Sequence, residues 1–147
     1  MKILDNVSML LRQKGSNVFS LPSDALVYSA IEMMAGKRVG ALLVIDDSKL
    51  VGVISERDYA CKIILLGRSS KDTLVREIMT PSPITIRCDT SIEDAMRVMT
   101  DNGIGHLPVM DSAGRVAGVV SIGDLVKWIM TSQDEVISHL ERYITQS

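Results

Sequence analysis

Two seven-residue stretches carry the side chains best suited to grip a small molecule, "GVISERD" at residues 52–58 and "GVVSIGD" at residues 118–124. Each ends an apolar run at a serine followed three positions later by an aspartate, Ser55 with Asp58 and Ser121 with Asp124. An ionised carboxylate only accepts hydrogen bonds, and its two oxygens suit a vicinal diol. The start of a helix attracts phosphate, because its amides are unpaired and its dipole is positive at that end. Arg57, next to Asp58, is able to add a two-pronged contact to such an anion. The same spacing also has a local use, since a serine and an acid three residues on form a capping box that satisfies the orphan amides of a helix start. Loss of such a cap costs about 0.5–2 kcal/mol of stability and does not touch ligand affinity.

The elements that present these residues occur twice. "VGALLVIDDSKLVGVISERD" aligns with "IGHLPVMDSAGRVAGVVSIGD", Gly40 falling on Gly105 at an offset of 65 and Asp58 on Asp124 at an offset of 66. Upstream, Ser20, Asp24, Ala30 and Met34 fall opposite Thr85, Asp89, Ala95 and Met99. Each copy opens with a short strand ("NVFSL", "PITIR") and continues into a helix with apolar residues at helical spacing: Val27, Ala30, Ile31 and Met34 in one, Ile92, Ala95, Met96 and Met99 in the other. A hairpin follows, turning at Asp47 to Lys49 or Ser112 to Gly114, and a second helix closes the unit. The predicted fold is therefore α/β (α+β), two βαββα units related by a pseudo-twofold axis.

The expected boundaries are an N-terminal helix over 1–15, unit 1 over 16–72, a linker over 73–80, unit 2 over 81–132 and a C-terminal helix over 133–147. Gly67, two serines, Pro81 and Pro83 mark the joint between the copies. Ile3, Leu4, Val7, Leu10 and Leu11 form an apolar stripe at the start of the chain. Val136, Ile137, Leu140, Tyr143 and Ile144 form another, behind a Ser132 to Glu135 capping box. Such stripes are buried either against their own domain or in a subunit interface.

With "GVISERD" and "GVVSIGD" at matching places, the duplicated unit resembles the tandem CBS-domain pair, or Bateman module, from about residue 16 to about residue 132. The run "SERDYA" followed by "GRSS" is similar to the small stand-alone bacterial members. The resemblance implies a non-catalytic regulatory module that binds adenosine-containing ligands (AMP, ATP, NAD(H) or S-adenosylmethionine) in clefts between the units. By motif, Asp58 and Asp124 would accept from ribose hydroxyls, and Ser55 and Ser121 would meet ribose or phosphate. Ser20 and Thr85 would line the same clefts. The backbone at Val39, Gly40 and Ala41 and at Ile104, Gly105 and His106 would hold the adenine edge, where glycine leaves room for a flat base. Ile54, Arg57 and Pro108 complete the expected set. The resemblance further implies a homodimer, and with no effector domain between or beside the units the signal is expected to act through the shape of the oligomer or on a separate effector protein.

The copies differ where Gly123 replaces Arg57 and His106 replaces Ala41. From this the Arg57 side is expected to prefer phosphorylated ligands. Composition narrows the alternatives. The 147 residues, 46% apolar and 23% charged, suit a globular chain too short for a (β/α)₈ barrel. A net charge of −2 and five aromatic residues supply no nucleic-acid footprint. No apolar run approaches the roughly 20 residues of a membrane span, and Asp5 and Arg12 interrupt any secretory signal, so the expected compartment is the cytoplasm. Cys61 and Cys88 offer no zinc spacing, and no metal is expected. Two rival classes remain: a hydrolase using Ser121, His106 and Asp124, which lacks the G-x-S-x-G elbow, and an assembly module with vacant clefts.

Overall fold

The computed structural model describes residues 5–15 and 17–146, side chains at 133–139, 143, 145 and 146 excepted. Ile3 and Leu4 of the first stripe, and the side chains of Val136, Ile137 and Tyr143 of the second, therefore lie outside the described residues.

The chain begins with helix α1 (Val7–Lys14), capped by Asn6, whose side chain accepts from the Met9 amide at 3.2 Å. Unit 1 follows as β1 (Ser20–Leu21), α2 (Val27–Lys37), β2 (Ala41–Asp46), β3 (Lys49–Ser55) and α3 (Glu56–Tyr59), which continues as a π turn over Ala60–Ile64. The stretch expected as a linker is ordered, holding the short helix α4 (Val75–Ile78) and strand β4 (Thr80–Pro81). Unit 2 repeats the order with β5 (Ile86–Arg87), α5 (Ile92–Asn102), β6 (His106–Met110), β7 (Val116–Ser121) and α6 (Ile122–Gln146).

Each unit builds one sheet, ordered β1-β2-β3-β4 in the first and β5-β6-β7 in the second. The leading strand pairs parallel with the next, and the hairpin strands pair antiparallel, in both. Three successive residues are buried in each central strand, Leu42 to Val44 and Leu107 to Val109, so both faces of these strands are covered. Two apolar cores result, one around Val27, Met34, Ile54 and Ile63 and one around Ile92, Met99, Val120 and Leu125. The turns are held as their residues suggest. Asp47 and Ser48 take positive φ in the first hairpin, and the Asp111 carboxylate accepts from the Ala113 and Arg115 amides at 2.9 Å in the second.

The segments that precede the units dock crosswise. The amide of Val7 donates to Thr90 O at 2.8 Å and that of Ile92 to Asp5 O at 2.9 Å, which fixes α1 on unit 2, and Leu10 and Leu11 join that unit's core. In the same pattern the Val75 amide donates to Ala25 O at 2.8 Å and the Val27 amide to Thr73 O at 2.9 Å, which fixes α4 on unit 1. Helix α6 runs unbroken through Ser132, so the expected Ser132 to Glu135 capping box falls in a helix interior, where no orphan amides need satisfying, and the Glu135 side chain lies outside the described residues. Among the described residues, no helix is long and apolar enough to cross a membrane.

Candidate functional site

Both motif serines sit where an extended strand ends and a helix begins, and both form the cap that their spacing predicts. Ser55 Oγ accepts from the Asp58 amide at 3.2 Å, and Asp58 Oδ2 accepts from the Ser55 amide at 2.9 Å. In the second copy, Ser121 Oγ accepts from the Asp124 amide at 3.1 Å and Asp124 Oδ2 accepts from the Ser121 amide at 2.9 Å. The cap uses only part of each acid. A carboxylate offers about four lone-pair sites. Asp58 Oδ1 faces Lys62 Nζ at 3.1 Å, and Asp124 Oδ1 has no hydrogen-bond partner among the described residues.

Each acid opens onto a cavity walled by the other unit. The first cleft, of about 560 Å³, joins Ser55, Arg57 and Asp58 to Ile104, Gly105 and His106, with Ser82, Pro83 and Ile84 along one side. The second, of about 410 Å³, joins Ser121 and Asp124 to Val39, Gly40 and Ala41, with Asn17 and Phe19 in the positions of Ser82 and Ile84. Gly40 also reaches the first cleft and His106 the second, so these two residues form part of the wall between them.

Four of the expected residues stand apart from both clefts. Ile54 is fully buried in the core, because strand alternation turns its neighbour Val53 to the first cleft instead. Pro108 is buried in the middle of β6 between Leu107 and Val109. Ser20 pairs with Leu43 in β1, and Thr85 is exposed. Their immediate predecessors, Phe19 and Ile84, line the clefts. Sequence reasoning also missed Lys14 and Arg38 in the second cleft and Glu56 in the first. Lys14 comes from α1, and only the crosswise docking brings it there.

The family model of the CBS domain matches residues 14–63 and 75–131. The chain belongs to the CBS domain family, in two copies. A CBS domain-containing protein of Arabidopsis thaliana, CBSX3, described as mitochondrial, is 40% identical over 147 aligned positions, covering 94% of this chain and 71% of that protein. A Burkholderia ambifaria protein with CBS domains is 40% identical with a TM-score of 0.84, covering 88% of this chain and 96% of that chain. Two more distant structures carry ligands. The CBS protein PAE2072 of Pyrobaculum aerophilum, complexed with AMP, is 27% identical with a TM-score of 0.73 over 82% of this chain and 89% of that one. The CBS pair of MJ0100, complexed with 5′-methylthioadenosine and S-adenosylmethionine, is 25% identical with a TM-score of 0.76 over 88% and 98%.

The electrostatics of the two CBS clefts differ. Asp124 accepts from Lys14 Nζ at 2.5 Å, and Lys14 also donates to Val119 O at 2.9 Å. Burial is the largest influence on Asp124 and opposes its charge, but Lys14 and the Ser121 amide and hydroxyl together outweigh it and hold the carboxyl below its usual range. His106 is pushed below the usual histidine value first by burial and then by Lys14, against the pull of Asp124 and Glu56. The hydrogen-bond chain of a nucleophilic triad is absent among the described residues, since Ser121 Oγ serves the Asp124 amide and the Asp124 carboxylate serves Lys14 and Ser121.

Proposed function

We propose that this CBS pair is a regulatory module, without catalysis of its own, that binds an adenosine-containing nucleotide such as AMP, ATP or NAD(H) in its two clefts. The observation that carries this reading is the matched construction of the clefts. In each, the motif aspartate and serine of one unit face the glycine-bearing edge of the other, Ile104 to His106 or Val39 to Ala41. Volumes of about 560 and 410 Å³ fall within the range of small-molecule sites. The ligands of PAE2072 and MJ0100 share an adenosine group, which supports the same class here. The acid takes the ribose diol, the backbone edge takes the base, and the helix start with Ser55 or Ser121 takes the first phosphate.

Titration calorimetry with adenosine, AMP, ATP and NAD(H) tests the reading. A hydrogen bond to a charged group is worth about 1.5–3 kcal/mol, so Asp58→Ala and Asp124→Ala should each weaken one binding event roughly tenfold to a hundredfold. Heats unchanged by both substitutions would leave the aspartates as caps alone.

A second reading concerns assembly. Ile64, at the end of the π turn, with Leu65 and Leu66 in the turn that follows, and Ile122, Val126 and Met130 on α6 are large apolar residues left exposed in the two units. These faces suit pairing of two copies of the chain. The bound state would then be passed on through the shape of the dimer or to a separate effector protein.

A further inference from the structure

The two clefts are built alike but differ in charge. With histidine neutral, the ionisable residues lining the first are Glu56, Asp58 and Arg57, a formal charge of −1, and Lys62 stands behind them with its Nζ 3.1 Å from Asp58. Those lining the second are Lys14, Arg38 and Asp124, a formal charge of +1. Lys37 adds a further cation behind the second cleft, its Nζ 5.3 Å from the centroid of the Phe19 ring that lines it.

Arg38 is also held in an unusual conformation. It ends helix α2 with φ 56° and ψ 46°, the left-handed region in which a side-chain-bearing residue is strained. At the same place α5 ends with Gly103, φ 62°, which meets the same backbone demand without that strain. Arg38 is exposed at the cleft and forms no ion pair among the described residues, so its guanidinium is available to a ligand. Lys14 Nζ donates to Val119 O and Asp124, which leaves one of its three protons for a ligand.

We infer that the Asp124 cleft takes the nucleotide with two or more phosphates, Arg38 and Lys14 holding the phosphates beyond the first, while the Asp58 cleft takes a nucleoside or monophosphate. This rests on the proposed nucleotide-binding reading and reverses the expectation drawn from Arg57. Each motif aspartate faces a lysine, Asp58 with Lys62 and Asp124 with Lys14, but Arg57 has a second acid, Glu56, in its cleft, whereas Arg38 has none in its own.

The test isolates each cleft in the full chain. Asp58→Ala leaves the Asp124 cleft to be titrated with adenosine, AMP, ADP and ATP, and Asp124→Ala leaves the other. In the Asp58→Ala protein, affinity should rise about tenfold or more from AMP to ATP, and the gain should shrink at high salt. Adding Arg38→Gly should remove most of the gain and leave adenosine binding unchanged. The substitution copies Gly103, so the protein should fold at least as well, as its melting temperature will show. In the Asp124→Ala protein, ATP should bind no more than about twofold tighter than AMP. A gain confined to the Asp58 cleft, equal gains in both, or a gain that survives Arg38→Gly would each overturn the assignment. Adenosine binding without a phosphate-dependent gain overturns this inference alone, whereas failure of every adenosine compound to bind overturns the proposed function with it.

Discussion

His106 stands in the wall between the clefts, where the first copy has Ala41. Its ring carbons and nitrogens approach Gly40, with Cε1 and Nε2 both 3.5 Å from where a β carbon on that glycine would lie. Burial and Lys14 make the folded state bind the His106 proton less readily than the unfolded chain does, despite Asp124 and Glu56. Between the lowered value and the ordinary one near 6.5, the unfolded state therefore holds more protons, and stability falls as pH drops through that window. His106→Ala, which copies Ala41, should flatten this part of the profile. Melting temperatures of both proteins from pH 8 to pH 5 check it, and parallel curves would show that the imidazole is not held neutral by the fold. Which single residues stand at the clefts was partly legible in the sequence. The serine and aspartate pairs and Gly40 and Gly105 are at the clefts because the repeat marks them twice. Arg38 was hidden because its counterpart is a glycine, so the alignment shows no shared side chain there. Ile54 and Pro108 were misplaced because membership of a motif strand says nothing about which face a residue presents.

Among the elements, α1 and α4 carry the largest departure from the sequence reading. Residues 73–80 read as a linker because glycine, serine and proline surround them, yet they dock on unit 1, as α1 docks on unit 2. Backbone hydrogen bonds between segments some 50–85 residues apart leave no periodic trace in sequence, so pattern reading cannot find them. The motif glycines do record them. A β carbon at Gly52 would lie 2.5 Å from Met79 Sδ and 3.0 Å from the Thr80 carbonyl oxygen, and one at Gly118 would lie 2.8 Å from Leu11 Cδ2. Gly52 and Gly118 thus admit the docked segment. Gly52→Ala should cost about 1–3 kcal/mol, because a backbone carbonyl as well as a side chain must give way. Gly118→Ala should cost less, since only the tip of Leu11 has to turn. Urea titrations of the two variants compare them, and an equal or reversed order would mean that the docked segments yield more freely than the contacts imply.

At the scale of the molecule, the duplication sets both the two clefts and the two exposed apolar faces. Met130 occupies in α6 the place that Ile64 holds after α3, at the same 66-residue offset as the motif aspartates. Ile122, Val126 and Met130 are four residues apart and so share one side of α6, where they remain 40%, 41% and 60% exposed. Leu65 and Leu66 are 75% and 66% exposed, more than an isolated chain needs to leave in water. A specific dimer covers about 800 Å² on each copy, and a closed twofold pairing uses the same patch on both. If α6 and the turn after Ile64 form that patch, Leu65→Glu and Met130→Glu should each convert the dimer to a monomer while the fold and cleft affinities persist, because neither residue lines a cleft. Sedimentation at several micromolar concentrations reads the outcome. A wild-type chain that stays monomeric throughout, or a dimer indifferent to both charges, would assign these faces to another partner and leave the ligand signal to be read by that partner rather than by a second copy.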